Sequence, residues 1–184
     1  MYNINRRKFL GLISCGCCSM LLPSCSTVPI TERKQLSIIP ESRINRQAAA
    51  AYEKFRSKAK LIKTGSQLKE IIEIGKKIEI SVSNFFVNQG KADPTQNFEW
   101  DYILVENDKV VNAWCMPGGK IAVYTGLLKV TKNTDALSIV MGHEIAHAVA
   151  RHSAERMSQA MTINLGTTVC LLYTSDAADD DHCV

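Results

Sequence analysis

The sequence lacks an apolar run long enough to cross a bilayer. Its stretch Phe9–Leu22 holds fourteen residues, against about 20 for a spanning helix. It lacks a dominant charge: 22 basic and 18 acidic residues are scattered along the chain, which gives no electrostatic footprint for nucleic acid. It has only five prolines, and its ten glycines follow no period, so collagen-like and low-complexity fibres are excluded. Aromatics are 7% of the chain. What is present is a 46% hydrophobic content over 184 residues. That excludes general disorder and suffices for one domain with a core. Of seven cysteines, Cys15, Cys17, Cys18 and Cys25 crowd the beginning, leaving Cys115, Cys170 and Cys183; this spacing offers no disulfide framework.

The two ends differ from the middle. Arg6, Arg7 and Lys8 precede the short apolar stretch, the pattern of a secretory signal over residues 1–24. The Arg pair resembles a twin-arginine export signal, with ordinary Sec export as the alternative. Leu22-Pro23-Ser24-Cys25 resembles a lipobox, with Cys25 as the lipidated residue and Ser26 after it. Together these imply a lipid-anchored protein of the bacterial cell envelope, facing the periplasm, with the outer membrane favoured. Residues 25–40, with Pro29 and Pro40, read as a tether. At the other end, Cys170-Leu171-Leu172-Tyr173-Thr174-Ser175-Asp176-Ala177-Ala178-Asp179 resembles the translation of a transposase-type sequencing adapter. Residues 170–184 are therefore expected to be a non-native tail, and 41–169 a partial domain.

In the middle, Ile44, Ala48, Ala51, Tyr52 and Phe55 recur at helical spacing. Thr64 and Gln67 suggest a capping box for a second helix, whose stripe is Leu68, Ile71, Ile72, Ile78, Val82, Phe85 and Phe86. From Trp100 the period changes to two. Trp100–Val105, Val110–Cys115 and Lys120–Thr125 are expected as a small antiparallel meander, turned by Glu106–Lys109 and by Met116–Gly119. A short helix begins near Gly126.

A further helix is expected from Asp135 to about Gln159, capped by Thr134. It contains His143-Glu144-Ile145-Ala146-His147. At 100° per residue the two histidines sit about 40° apart and one turn up, so both imidazoles can reach one ion. Zn²⁺ accepts neutral imidazole nitrogen, and two ligands on one rigid helix cost little ordering entropy. Glu144 lies about 100° round, beside the ion and placed to accept a proton. With only four histidines in the chain, this pattern arises by chance in roughly one such chain in two hundred. Ala136, Ala150 and Ala154 share the histidine face and leave room beside it; Leu137, Met141, Ile145 and Ala148 form a second, apolar face. Gly142 reads as permitting close approach of a neighbouring backbone. His152 falls on the opposite side of a continuous helix and reads as a surface or supporting residue.

The resemblance is then broad. Thr27–Leu36, Asn112–Leu128, Gly142–His147 and Arg151–Ser158 are similar to stretches of metallopeptidase family forty-eight, in its lipoprotein and mitochondrial-stress-protease-like branch. The resemblance covers residues 26–165. It implies an α+β, mainly helical zincin-type domain of the gluzincin kind, with one Zn²⁺ on His143 and His147 plus a Glu from a later helix. It also implies that Lys120, Ile121, Ala122, Val123 and Tyr124 lie by the active-site helix as a strand along which extended peptide substrate pairs. The third ligand is not legible in this chain. Glu155 is eight residues past His147 on the expected helix, about 12 Å along its axis, and later carboxylates fall only in the tail. The expectation is a zinc metalloendopeptidase with Glu144 as catalytic base, acting on proteins of the envelope, its C-terminal helices missing and the 184-residue chain weak in zinc binding and activity. The alternative is a non-catalytic peptide-binding or chaperone-like lipoprotein on the same fold. Nucleic acid is not an expected partner, and oligomeric state is not legible.

Overall fold

The computed structural model describes residues 25–28 and 32–178. The expected signal segment, residues 1–24, and the last six residues of the tail lie outside them. β1 (Cys25–Thr27) and β2 (Lys34–Leu36) form an antiparallel pair. α1 (Glu41–Arg56) and α2 (Ser66–Asn88) follow, with the short β3 (Leu61–Ile62) between them. Then come β4 (Asp101–Val105), β5 (Ala113–Met116), β6 (Lys120–Tyr124), α3 (Thr125–Thr131), α4 (Thr134–Val149) and α5 (His152–Ala178). The α+β class stands.

The expected meander does not. The sheet runs in the order β3-β4-β6-β5, with β4 and β6 parallel and the other pairs antiparallel. β6 lies between β4 and β5, so both of its edges are taken. The physical reason lies in burial. Ile103, Leu104 and Val105 are all buried, as are Ile121, Ala122 and Val123. Contiguous apolar runs of this kind suit a sheet covered on both faces. On one face Leu104, Ile121 and Val123 pack with Ile71, Ile74 and Phe86 of α2 and Leu137, Met141 and Ile145 of α4. On the other, Ile103, Val105 and Ala122 pack with Tyr52, flanked by Phe55 and Trp114. The sheet is thus held between α1 and the α2/α4 pair. The β5–β6 turn needs two successive residues at positive φ, and Gly118 (+83°) and Gly119 (+81°) supply them without a Cβ penalty.

Helix starts differ by a residue or two from the sequence reading. α2 begins after Gly65 with no side-chain cap, rather than at a Thr64 box. α4 is capped by Asn133, whose Oδ1 accepts from the Ala136 N–H at 2.8 Å; Asn is as strong a cap as any residue. The larger difference is that the expected helix from Asp135 to Gln159 is two helices. α4 ends at Val149, Arg151 adopts φ +57°, and α5 begins at His152.

Residues 25–40 are not a free tether. Val28 is fully buried, Gln35 is nearly so, and the strand pair packs on α5. Arg33 bonds both carboxylate oxygens of Glu155, at 2.9 and 2.5 Å, and the Ile38 N–H donates to Ser158 Oγ at 3.2 Å. Among the described residues no helix is long and apolar enough to cross a membrane.

Candidate metal centre

α4 carries the candidate chemistry, and its inward residues explain why it forms here. Leu137, Met141, Ile145, Ala148 and Val149 are buried, which leaves the opposite face, with His143, open. His143 and His147 are one turn apart, as the spacing requires. Their Nε2 atoms stand 3.0 Å from each other, and their ring planes are nearly perpendicular. Two imidazole nitrogens at about 2.0–2.1 Å from a tetrahedral zinc would be about 3.3 Å apart. The pair is within a few tenths of an ångström of that separation. These residues fit a zinc ion. Among the described residues no group of three His, Cys, Asp or Glu that could hold a metal is assembled.

Glu144 is half-buried and lies near Cys115 of β5. Burial first, and the Glu144 carboxylate second, push the Cys115 thiol up to about 12. Cys115 is therefore a neutral thiol at physiological pH. Glu144 is thus within electrostatic range of β5, the strand packed beside α4.

The structure does not place Lys120–Tyr124 as sequence reasoning expected. These residues form β6, hydrogen-bonded to β4 on one side and β5 on the other. Ile121, Ala122 and Val123 are core residues. Lys120 Nζ turns to the Glu99 carbonyl and carboxylate, and the Tyr124 ring packs on Phe55. Among the described residues, the strand with a free edge next to α4 is β5, Ala113–Met116. Ala150 and Ala154 are both buried, and the break at Arg151 takes Ala154 off the helix that carries the histidines.

The same break brings in a residue the sequence reading set aside. His152 Nδ1 lies 2.5 Å from His147 Nδ1, with ring centroids 4.8 Å apart. Burial, then the His147 ring, lower the His152 pKa below the ordinary histidine value, with Glu155 opposing. No Gly or Pro announces the break, so no local signal could have found it.

Gly142 does not admit a neighbouring backbone. A Cβ built there meets nothing within 4 Å. The residue instead opens on an apolar groove lined by Val82, Phe85, Phe86, Ile145, Ala146 and Val149, among others. Gly142→Ala is therefore expected to stabilise the fold by about 0.4–1 kcal/mol, through helix propensity and a less flexible unfolded chain. A higher midpoint in thermal unfolding checks this; a lower one would mean that the site needs the missing Cβ.

Residues 78–181 match Peptidase family M48. That stretch is more than half of the chain and carries the whole histidine helix; the chain belongs to this family of metal-dependent peptidases. Among individual proteins, it is 28% identical over 183 residues to the mitochondrial metalloendopeptidase OMA1 of Saccharomyces cerevisiae, covering 94% of this chain and 50% of that protein. It is 27% identical over 170 residues to the human metalloendopeptidase OMA1, mitochondrial, covering 84% and 29%. Over a shorter stretch of 64 residues it is 47% identical to the Arabidopsis thaliana protein of the same kind, covering 35% and 13%. The chain spans no more than half the length of these relatives. The relatives that align along most of it are mitochondrial proteases. This overturns the expectation of a lipid-anchored protein in the bacterial envelope, periplasm-facing and favouring the outer membrane.

Proposed function

We propose that this chain carries the zinc-holding and proton-transferring part of a metalloendopeptidase that hydrolyses protein substrates. One observation carries the reading: on a helix of an M48-family chain, two imidazole Nε2 atoms one turn apart lie 3.0 Å from each other, with Glu144 next in sequence to the first of them. His143 and His147 hold the metal, joined by a ligand from outside the described residues. When bound, zinc activates water and polarises the scissile carbonyl. Glu144 takes the proton of the attacking water at a carboxylate oxygen and returns it to the leaving amine. β5 pairs on one side only and lies next to α4. An extended peptide adding to its free edge gains main-chain hydrogen bonds and is held alongside Glu144. Of the β5 side chains, Cys115 packs on the α4 face of the sheet, while Trp114 and Met116 pack on the α1 face.

The direct test is metal affinity. The 184-residue chain is titrated with Zn²⁺ against a chromophoric chelator. One ion per chain is expected, with affinity reduced at least about tenfold, a 1.4 kcal/mol loss, by His143→Ala or His147→Ala. Equal affinity in wild type and both variants would remove the site.

A further inference from the structure

We propose that His152 is a positioning residue for the metal centre: its Nδ1 accepts a hydrogen bond from His147 Nδ1–H and so fixes which nitrogen of His147 faces the ion. The proposal rests on the zinc reading of His143 and His147.

The geometry that carries it is a three-ring relay. His143 Nε2 meets His147 Nε2 at 3.0 Å, and the other nitrogen of the same His147 ring meets His152 Nδ1 at 2.5 Å. The two contacts use opposite edges of one imidazole. His152 is thereby on the far side of His147 from the convergence point and is not a third ligand. A neutral imidazole has one N–H and one lone pair. If His147 gives its Nε2 lone pair to a metal, its proton sits on Nδ1, facing His152. His152 must then present a lone pair at Nδ1 and carry its own proton on Nε2. Metal-bound histidines commonly have such an outer partner, which sets the tautomer and the ring orientation.

The backbone is shaped to make this contact. On a continuous helix His152 would be about 140° round from His147, out of reach. Arg151 at φ +57° redirects the chain and returns His152 to the ring. A left-handed non-glycine residue costs of order 1 kcal/mol and persists where its surroundings over-determine it. The surroundings do so here. Arg151 pairs with Glu41 of α1 at 2.6 Å, and Glu155, one turn into α5, is held by the two terminal guanidinium nitrogens of Arg33. Two ion pairs from distant parts of the chain fix the corner that presents His152.

The test measures zinc affinity and His147 tautomer together on the full chain. Wild type, His143→Ala, His152→Ala and His152→Gln are titrated with Zn²⁺ against a chelator. Long-range ¹H–¹⁵N imidazole spectra then report which nitrogen of His147 is protonated. We expect His152→Ala to lose about tenfold to a hundredfold in affinity and to give a mixture of His147 tautomers. The Gln carbonyl can accept the same hydrogen bond, so His152→Gln recovers most of both. Full zinc affinity in His152→Ala with an unchanged His147 tautomer would overturn the proposal. So would a wild-type spectrum showing His147 protonated on Nε2, a result that needs no variant to fold. Loss of affinity in His143→Ala but not in His152→Ala refutes this role and leaves the metal site standing. Undiminished affinity in His143→Ala refutes both.

Discussion

Replacing Glu144 by Gln is expected to leave zinc bound and to lower peptide-bond hydrolysis by about 10²–10⁴-fold, the usual contribution of general acid–base catalysis. The amide keeps the size and polarity of the carboxylate but cannot take a proton from water. Glu144 sits about 100° round the helix from His143, and no ligand is removed by the change. Metal content and turnover should therefore separate. The check is zinc stoichiometry alongside cleavage of an unstructured protein by the zinc-loaded, catalytically competent enzyme. Undiminished turnover would assign the proton transfer to another group. Loss of zinc together with turnover would instead make Glu144 part of the metal's hold.

The largest expected effect on stability is at Gly126, far from any chemistry. A Cβ there would lie 2.4 Å from the Val110 carbonyl oxygen and 2.7 Å from that of Asp108. Both are backbone atoms, so no side-chain rotation relieves the contact. Gly126 is the second residue of α3, which follows β6 directly. The Gly126 N–H donates to the Asn107 carbonyl at 3.3 Å, and the Asn107 N–H donates to Thr125 Oγ1 at 3.0 Å. Overpacking of this kind costs about 1–3 kcal/mol or more. For a chain of this size that is about 2–4 °C in Tm per kcal/mol. Gly126→Ala should thus lower the midpoint by several degrees, or by more if the β4–β5 connection is pushed away. An unchanged midpoint would mean that the connection yields freely. Gly142→Ala, in the same experiment, is expected to move the opposite way.

The contrast between these two glycines shows what a sequence can and cannot disclose. Gly142 adjoins His143, yet it has space around it. Gly126 is crowded by two carbonyls that only the folded chain brings near. Local pattern was informative where the cause is local. Ile44 and Tyr52 mark the buried stripe of α1, and His143 and His147 share a helix face because four residues make about one turn. It was uninformative where the cause is long-range. Whether β4 pairs with β6 or with β5 depends on what covers both faces of the sheet. The one hint was that Ile103–Val105 and Ile121–Val123 are continuous apolar runs rather than alternations, which is how doubly covered strands read. The expectation that substrate pairs along Lys120–Tyr124 came from the family resemblance, which carries no information on strand order. The corner at Arg151 had no hint at all. Ala150 and Arg151 are both good helix formers, and the left-handed turn is imposed by Glu41 and by the strap around Arg33.

That strap also sets an order of events during synthesis. Arg33 and Glu155 are 122 residues apart. At about 5–20 residues per second, the partner of Arg33 is made about 6–24 s after it. Until then β2 lacks the helix it packs against, and Arg33 lacks its carboxylate partner. The corner holding His152 is therefore locked only after both ends of this 122-residue span have been made.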